Sequence, residues 1–161
     1  MGEVTIRPAR LPDDLAQISA LYGEEALLHT ENWPDDYRTD MGASLEEELS
    51  SASKDPATYL LVAEDDSRVV GVAAAHLRPK PTEGITRFDG SIMHVADLVV
   101  TANYRRRGVG LQLMQQLETW ARDQGAATVT LNVHDQNSAA RELYRRRGFR
   151  AVHVQMRKEL T

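Results

Sequence analysis

The run HVADLVVTANYRRRGVGLQLMQQLETW, residues 94 to 120, changes its hydrophobic period once, and that change decides the fold. Val95 to Val100 is β-rich and apolar on both faces, as a central strand is. Val109, Leu113, Leu117 and Trp120 then recur at helical spacing. Between them lies a cationic glycine loop, so the run reads as strand, anion-binding junction and helix. Gly108 and Gly110 lack the Cβ atoms that would hold a ligand off the main chain, and N–H groups of the loop and first helical turn can converge on one anion. The helix N-terminus adds partial positive charge. Arg105, Arg106 and Arg107 add full cations with forked donors suited to phosphate oxygens. A pyrophosphate fits such a junction; three solvated arginines ahead of a helix are the plain alternative.

Two familiar phosphate loops are excluded by spacing. Leu113 stands where a dinucleotide fingerprint needs its third glycine, and no ribose-binding acid follows about twenty residues on. No Gly-Lys-Ser/Thr follows either, as a Walker loop requires.

Working outward, the helix is expected to end near Gln124 with Gly125 as its cap. Thr128 to Val133 reads as a strand, Asn137 as the N-cap of a helix that Gly148 ends, and Ala151 to Leu160 as a last alternating strand. Upstream, Val4 to Arg10 reads as a strand near an edge because of Pro8. Asp13 or Asp14 caps a helix with Leu15, Ile18, Leu21, Tyr22, Ala26 and Leu27 on one stripe, up to about His29. Ser44 and Glu47 form a capping box for a short helix through Ser51. Thr58 to Ala63 and Arg68 to Leu77 are strands joined by an acidic hairpin turn, and Pro79 to Gly90 is a surface loop placed to border a cleft. Trp33 and Tyr37, in the irregular stretch between the two early helices, serve packing or contact a substrate.

The block DLVVTANYRRRGVG, a helix of about fifteen residues, the strand LNV, and NSAARELYRRRGF together resemble the acyl-CoA half of the GNAT superfamily of N-acetyltransferases, over roughly Met93 to Phe149. The family signature Arg/Gln-x-x-Gly-x-Gly/Ala is matched by Arg105, Gly108 and Gly110. Its downstream pattern is matched by Asn137, Ala140, Leu143, Tyr144, Gly148 and Phe149. Ala102, where the family often has proline, and Ala96, where other members carry an acid, depart from the pattern. The amino half matches only in element order.

The resemblance implies a GNAT-type α/β (α+β mixed) fold in a single domain of residues 1–161. Its mixed, mainly antiparallel central sheet has six to seven strands, flanked by about four helices, with a splayed central strand pair. It implies acetyl-CoA (coenzyme A) as acyl-donor co-substrate. Leu98, Val99 and Val100 then pair with the pantetheine arm as an added strand would, with an N–H at Val100 facing the thioester oxygen. Arg105, Arg106, Arg107, Gly108, Val109 and Gly110 hold the pyrophosphate, and Asn137 and Tyr144 touch the cofactor. The reaction it implies is direct attack of a neutral primary amine on the thioester in a ternary complex, with no covalent enzyme intermediate.

On the family pattern Tyr144 is the general acid for the departing thiolate; a packed tyrosine is the alternative. Counting back from the glycines, His94 occupies the place where other members carry a glutamate or histidine base, and a group titrating near 6.5 suits that task. A structural histidine at a strand start is the alternative, with Glu24, Glu25 or Asp97 as substitute bases. Strict alternation places His94, Ala96, Leu98 and Val100 on one face of the strand and Asp97 on the other.

Composition bounds the remaining classes. At 161 residues the chain suits one domain. A net charge of −5 argues against coating nucleic acid, leaving the two arginine triplets, Arg105 to Arg107 and Arg145 to Arg147, as a focused site for a small polyanion. With no cysteine there is no disulfide, thiolate zinc site or cysteine nucleophile. The histidines show no ligand spacing, so no metal is expected. No apolar run approaches eighteen residues, so neither a membrane span nor a secretory signal is indicated and the expected location is cytoplasmic. The expected partner is a small-molecule or peptide amine, and a homodimer is left open. A non-catalytic acyl-CoA sensor and an arginine-mediated nucleic-acid binder are the competing readings.

Overall fold

A computed structural model describes residues 3–37, 44–80 and 90–160. The chain divides into two units, Met1–Leu131 and Asn132–Thr161. In the first, strands β1 (Thr5–Pro8), β2 (Thr58–Asp65), β3 (Arg68–Arg78), β4 (Ser91–Val100) and β5 (Ala126–Leu131) form one sheet in sequence order. Neighbours are antiparallel except β4 and β5, which are parallel. Parallel neighbours need a crossover, and helix α3 (Val109–Asp123) supplies it. Helices α1 (Leu15–Asn32) and α2 (Ser44–Ala52) precede β2, and α4 (Ser138–Arg146) lies in the second unit.

The sheet has five strands among the described residues, not the six to seven expected. Residues 151–160, read as a last strand, form neither helix nor strand and are exposed. Alternation shows which face a segment would bury if it paired; a strand exists only where a neighbouring edge takes up its backbone groups. The loop expected at Pro79 to Gly90 falls mainly at 81–89, outside the described residues.

Helix α1 buries Ile18, Leu21 and Tyr22 against Leu60, Val62, Val72, Ala74 and Val99 on one face of the sheet. Each such large aliphatic side chain contributes about 2 kcal/mol. Asp14 occupies the N-cap position of α1, yet its side chain makes no cap bond. Its carboxylate instead accepts two bonds from Arg7, at 2.7 and 2.9 Å, and one from the Arg10 N–H at 2.7 Å.

On the opposite face α3 buries Val109, Leu113, Met114, Leu117 and Ala121. A Cβ on Gly71 would stand 3.2 Å from both Leu113 Cδ1 and the Val99 carbonyl oxygen, so glycine there lets the helix lie close to the strands. The hairpin between β2 and β3 turns on Asp66 and Ser67, both at positive φ, as a two-residue turn matched to strand twist requires.

Candidate active site

The site begins where β4 leaves the sheet. The parallel pairing of β4 with β5 runs from Ser91 to Val95, which faces Leu131, while β4 continues to Val100. Residues 96–100 therefore have no strand on that side among the described residues. On the other side they pair with β3, through Asp97 with Ala74, Leu98 with Ala73, Val99 with Val72 and Val100 with Gly71. The Thr101 N–H donates to the Val70 carbonyl at 3.0 Å. Main-chain groups alternate sides along a strand, so the N–H and C=O of Val100, and those of Leu98, face the open edge.

The chain then makes a short 3-10 turn, Ala102–Tyr104, and enters α3 through Gly108, which is left-handed at φ +83°. A side chain there would be strained. The Gln112 N–H donates to the Gly108 carbonyl at 3.0 Å, and the N–H groups of Val109, Gly110 and Leu111 precede the first bond of the helix. This first turn follows the open edge of β4 after residues 101–108, and Gly110 lies in it.

The arginine triplet does not act as one cluster. Arg105 turns back on the protein, where Nε donates to the Val100 carbonyl at 2.7 Å and Nη2 lies 3.3 Å from Glu25 and 3.5 Å from Glu24. Arg107 is exposed and stands over the Tyr104 ring, 5.6 Å from its centroid; Arg106, at φ +58°, is exposed. The Tyr104 hydroxyl donates to buried Asp65 at 2.6 Å, and that bond holds the phenol above its ordinary pKa.

The face expected for His94 is corrected by a bulge. Ala74 pairs with Asp97 while Ala75 pairs with Val95, so Ala96 is an extra residue and the alternation reverses across it. His94, Asp97 and Val99 therefore share the α1 face of the sheet, whereas Val95, Leu98 and Val100 share the α3 face. A polar row crosses the sheet there. Thr58 meets His76 Nδ1 at 2.9 Å, His76 pairs with His94, and His94 Nδ1 meets Thr130 at 3.0 Å. When Nδ1–H donates to Thr130, Nε2 is the nitrogen left to accept a proton.

Burial lowers the pKa of His94, Arg78 and His76 add to that, and Asp97 opposes it. Burial raises the pKa of Asp97, against the hydrogen bond from the Tyr22 hydroxyl and the charges of His76 and His94. The neutral form of the histidine is thus favoured, with a half-buried carboxylate on the same face.

Glu24 and Glu25, the substitute bases, are engaged with the loop. Glu24 Oε2 accepts from the Thr101 hydroxyl and Oε1 from the Ala102 N–H, both at 2.7 Å. Glu25 lies 2.8 Å from His29 Nε2 and also meets Arg105. Trp33 and Tyr37 lie against the His29 ring, at centroid distances of 5.2 and 4.6 Å.

In the second unit the Asn137 side chain caps α4 by accepting from the Ala140 N–H at 3.1 Å. Half-buried Tyr144 meets Phe149 edge-on at 5.7 Å between centroids. Two arginines of the second triplet are turned to one acid. Arg145 and Arg146 both bond Glu142 and hold its carboxyl down to about 2.

His94, Asp97 and residues 98–110 thus belong to the first unit, and Asn137 and Tyr144 to the second. Thr101, Tyr104, Asp65 and the Ala96 bulge were missed in the sequence, where no local pattern marks them. Among the described residues no helix is long and apolar enough to cross a membrane.

Comparisons with known proteins bear on the family and the fold. The model of the acetyltransferase (GNAT) family matches residues 18–149. An aminoglycoside N(6')-acetyltransferase type 1 of Klebsiella aerogenes is 26% identical over 147 residues, covering 91% of this chain and 90% of its own. A mutant Bacillus halodurans protein of known crystal structure superposes with a TM-score of 0.86 at 19% identity, over 98% of this chain and 99% of that one. The structure of AAC(6')-Iy in complex with a bisubstrate analog of CoA and acetylneamine superposes with a TM-score of 0.74 at 17% identity, over 99% of this chain and all of that one. With the family model spanning β4, the glycine loop, α3 and the Asn137 to Phe149 segment, the chain belongs to the acetyltransferase (GNAT) family and is an acyl-CoA-dependent N-acetyltransferase.

Proposed function

We propose that the protein binds acetyl-CoA along the open edge of β4 and the first turn of α3, and transfers the acetyl group to a primary amine on a small, carbohydrate-like acceptor. The observation that carries this is the strand edge of residues 96–100, which has no strand on the β5 side among the described residues and leads through residues 101–107 into Gly108 and α3. An edge of that kind can pair with an extended amide chain, and the helix start that follows suits a pyrophosphate. The relationship to an aminoglycoside acetyltransferase supports the acceptor class. In this reading one N-acetyltransferase domain comprises both units.

Acetyl-CoA supplies the acetyl group as a thioester. Leu98 offers its outward main-chain groups to the amide arm, and Val100 its outward N–H, since Arg105 holds the Val100 carbonyl. The Val100 N–H stabilises negative charge developing on the thioester oxygen. The N–H groups of Gly108 to Leu111, with Arg106 and Arg107, hold the phosphates. His94 accepts the proton of the attacking amine at Nε2, and Asp97 on the same face stabilises the imidazolium that results. Asn137 holds the pantetheine arm from the start of α4. The Tyr144 hydroxyl donates its proton to the departing sulfur, so that N-acetylated acceptor and coenzyme A thiol are the products.

The exposed apolar residues of 151–160, among them Val154 and Met156, support a homodimer in which a second copy covers them.

The test is thiol release from acetyl-CoA in the presence of a panel of amino sugars, amino acids and peptides. Amino-sugar-dependent release is expected; no release with any amine returns the chain to acyl-CoA sensing. Tyr144→Phe keeps the ring and removes the donor. It should lower turnover about a hundredfold or more while acetyl-CoA affinity stays near normal. Near-normal turnover would return Tyr144 to packing.

A further inference from the structure

We infer that Glu24 is a positioning residue for the cofactor loop. From α1 it fixes the turn between β4 and α3, and so sets affinity for the coenzyme A phosphates without touching the reacting atoms. The inference rests on the acetyl-CoA reading of that loop and assigns the loop's shape to a carboxylate 77 residues upstream of Thr101.

Three observations converge on this carboxylate. Both of its oxygens are used, Oε2 by the Thr101 hydroxyl and Oε1 by the Ala102 N–H, each at 2.7 Å. Bonds this short to an ionised acceptor belong to the stronger class of hydrogen bonds. Thr101 is buried, at 8% exposure, so its hydroxyl needs an internal partner, and Glu24 is that partner. Arg105 closes the arrangement. Its guanidinium reaches Glu24 and Glu25 while its Nε grips the Val100 carbonyl, the last group of the strand on the open edge.

An exposed ion pair alone contributes little. Here, however, the bonds fall on Val100, Thr101, Ala102 and Arg105, the residues that decide where the main chain leaves the sheet. A second anchor stands opposite, where the Tyr104 hydroxyl meets buried Asp65 in the β2–β3 hairpin. Between the two anchors the loop passes through the 3-10 turn of Ala102–Tyr104 and a further turn up to Gly108. Its N–H groups can meet a phosphate only if both ends are held, because recognition by several donors fails when they are displaced together.

The test compares Glu24→Ala, Glu24→Gln and Thr101→Val by calorimetric titration with coenzyme A and by steady-state kinetics. Glu24→Ala should raise the dissociation constant about tenfold, with turnover at saturating acetyl-CoA and the pH profile unchanged. Glu24→Gln should restore binding, because its amide oxygen still accepts from the Ala102 N–H and its NH2 can donate to the Thr101 hydroxyl. Thr101→Val should fall between the two.

Unchanged coenzyme A affinity in a folded Glu24→Ala protein overturns the inference. So does a loss of turnover with a shifted pH profile, which would make Glu24 a base. If Glu24→Ala does not fold, Thr101→Val with normal affinity overturns it as well. Gly110→Val separates this inference from the reading beneath it. Weakened binding by Gly110→Val with none by Glu24→Ala removes only the positioning role, whereas normal binding by Gly110→Val removes the loop assignment itself.

Discussion

His94 must be neutral to take a proton from an amine, and its surroundings arrange that. Burial comes first, followed by the positive charges of Arg78 and His76, with Asp97 acting in the other direction. The acidic limb of kcat/KM should therefore lie below the ordinary histidine value of 6.5, and activity should fall as pH drops through that lowered value. His94→Gln should remove this limb and reduce turnover. Asp97→Asn should move it to still lower pH, because the carboxylate no longer favours the imidazolium. A limb that survives in His94→Gln and vanishes in Asp97→Asn would transfer the base to Asp97, whose pKa burial raises. Stability follows the same sign. A histidine with a depressed folded pKa costs nothing above 6.5 and weakens the fold as pH falls through the folded value.

Two connections between elements shape the amino half. One is the Ala96 bulge, which lets β4 present His94 and Asp97 to α1 while Leu98 and Val100 still face α3. The other ties β1 to the start of α1. Arg7 bonds both oxygens of Asp14 and also meets Glu64 on β2, with the Arg7 and Asp14 side chains only 15% and 7% exposed. Replacing Asp14 by alanine leaves the Arg7 charge half-paired in a buried setting and should cost about 3 kcal/mol in urea unfolding at neutral pH. The hydrogen bond from Arg7 is the main reason that the Asp14 pKa is lowered below 3.8. Its contribution is therefore full above that pH and lost as pH falls through the lower folded value. The difference between wild type and Asp14→Ala should shrink on acidification; a gap independent of pH would mean that the ion pair is not its source.

Over the whole molecule, the most exposed large apolar side chains among the described residues lie in the carboxy-terminal segment, with Val154 81% and Met156 90% exposed. Light scattering should give a dimer for the wild type and a monomer for Val154→Asp/Met156→Asp; a monomeric wild type would set the homodimer aside. The same segment marks how far the sequence alone reaches. Residues whose partners lie within about four positions were legible: the arginine-glycine loop and helix of residues 105–120, the Asn137 cap on Ala140, the left-handed Gly148, and the Asp66–Ser67 turn. Local sterics and nearest hydrogen bonds determine these, and both are written in the order of residue types. The tertiary structure decided whatever needs two distant segments at once. It decided the number of strands, because the alternation of 151–160 does not provide an edge to pair with. It decided the face of His94, because the bulge at Ala96 exists only against β3. It decided the work of Glu24 and Arg105, because a carboxylate on α1 meets Thr101 only after the sheet and helix have packed. Register and long-range pairing are set by the energy of the whole packed core, and no window of neighbouring residues contains that energy.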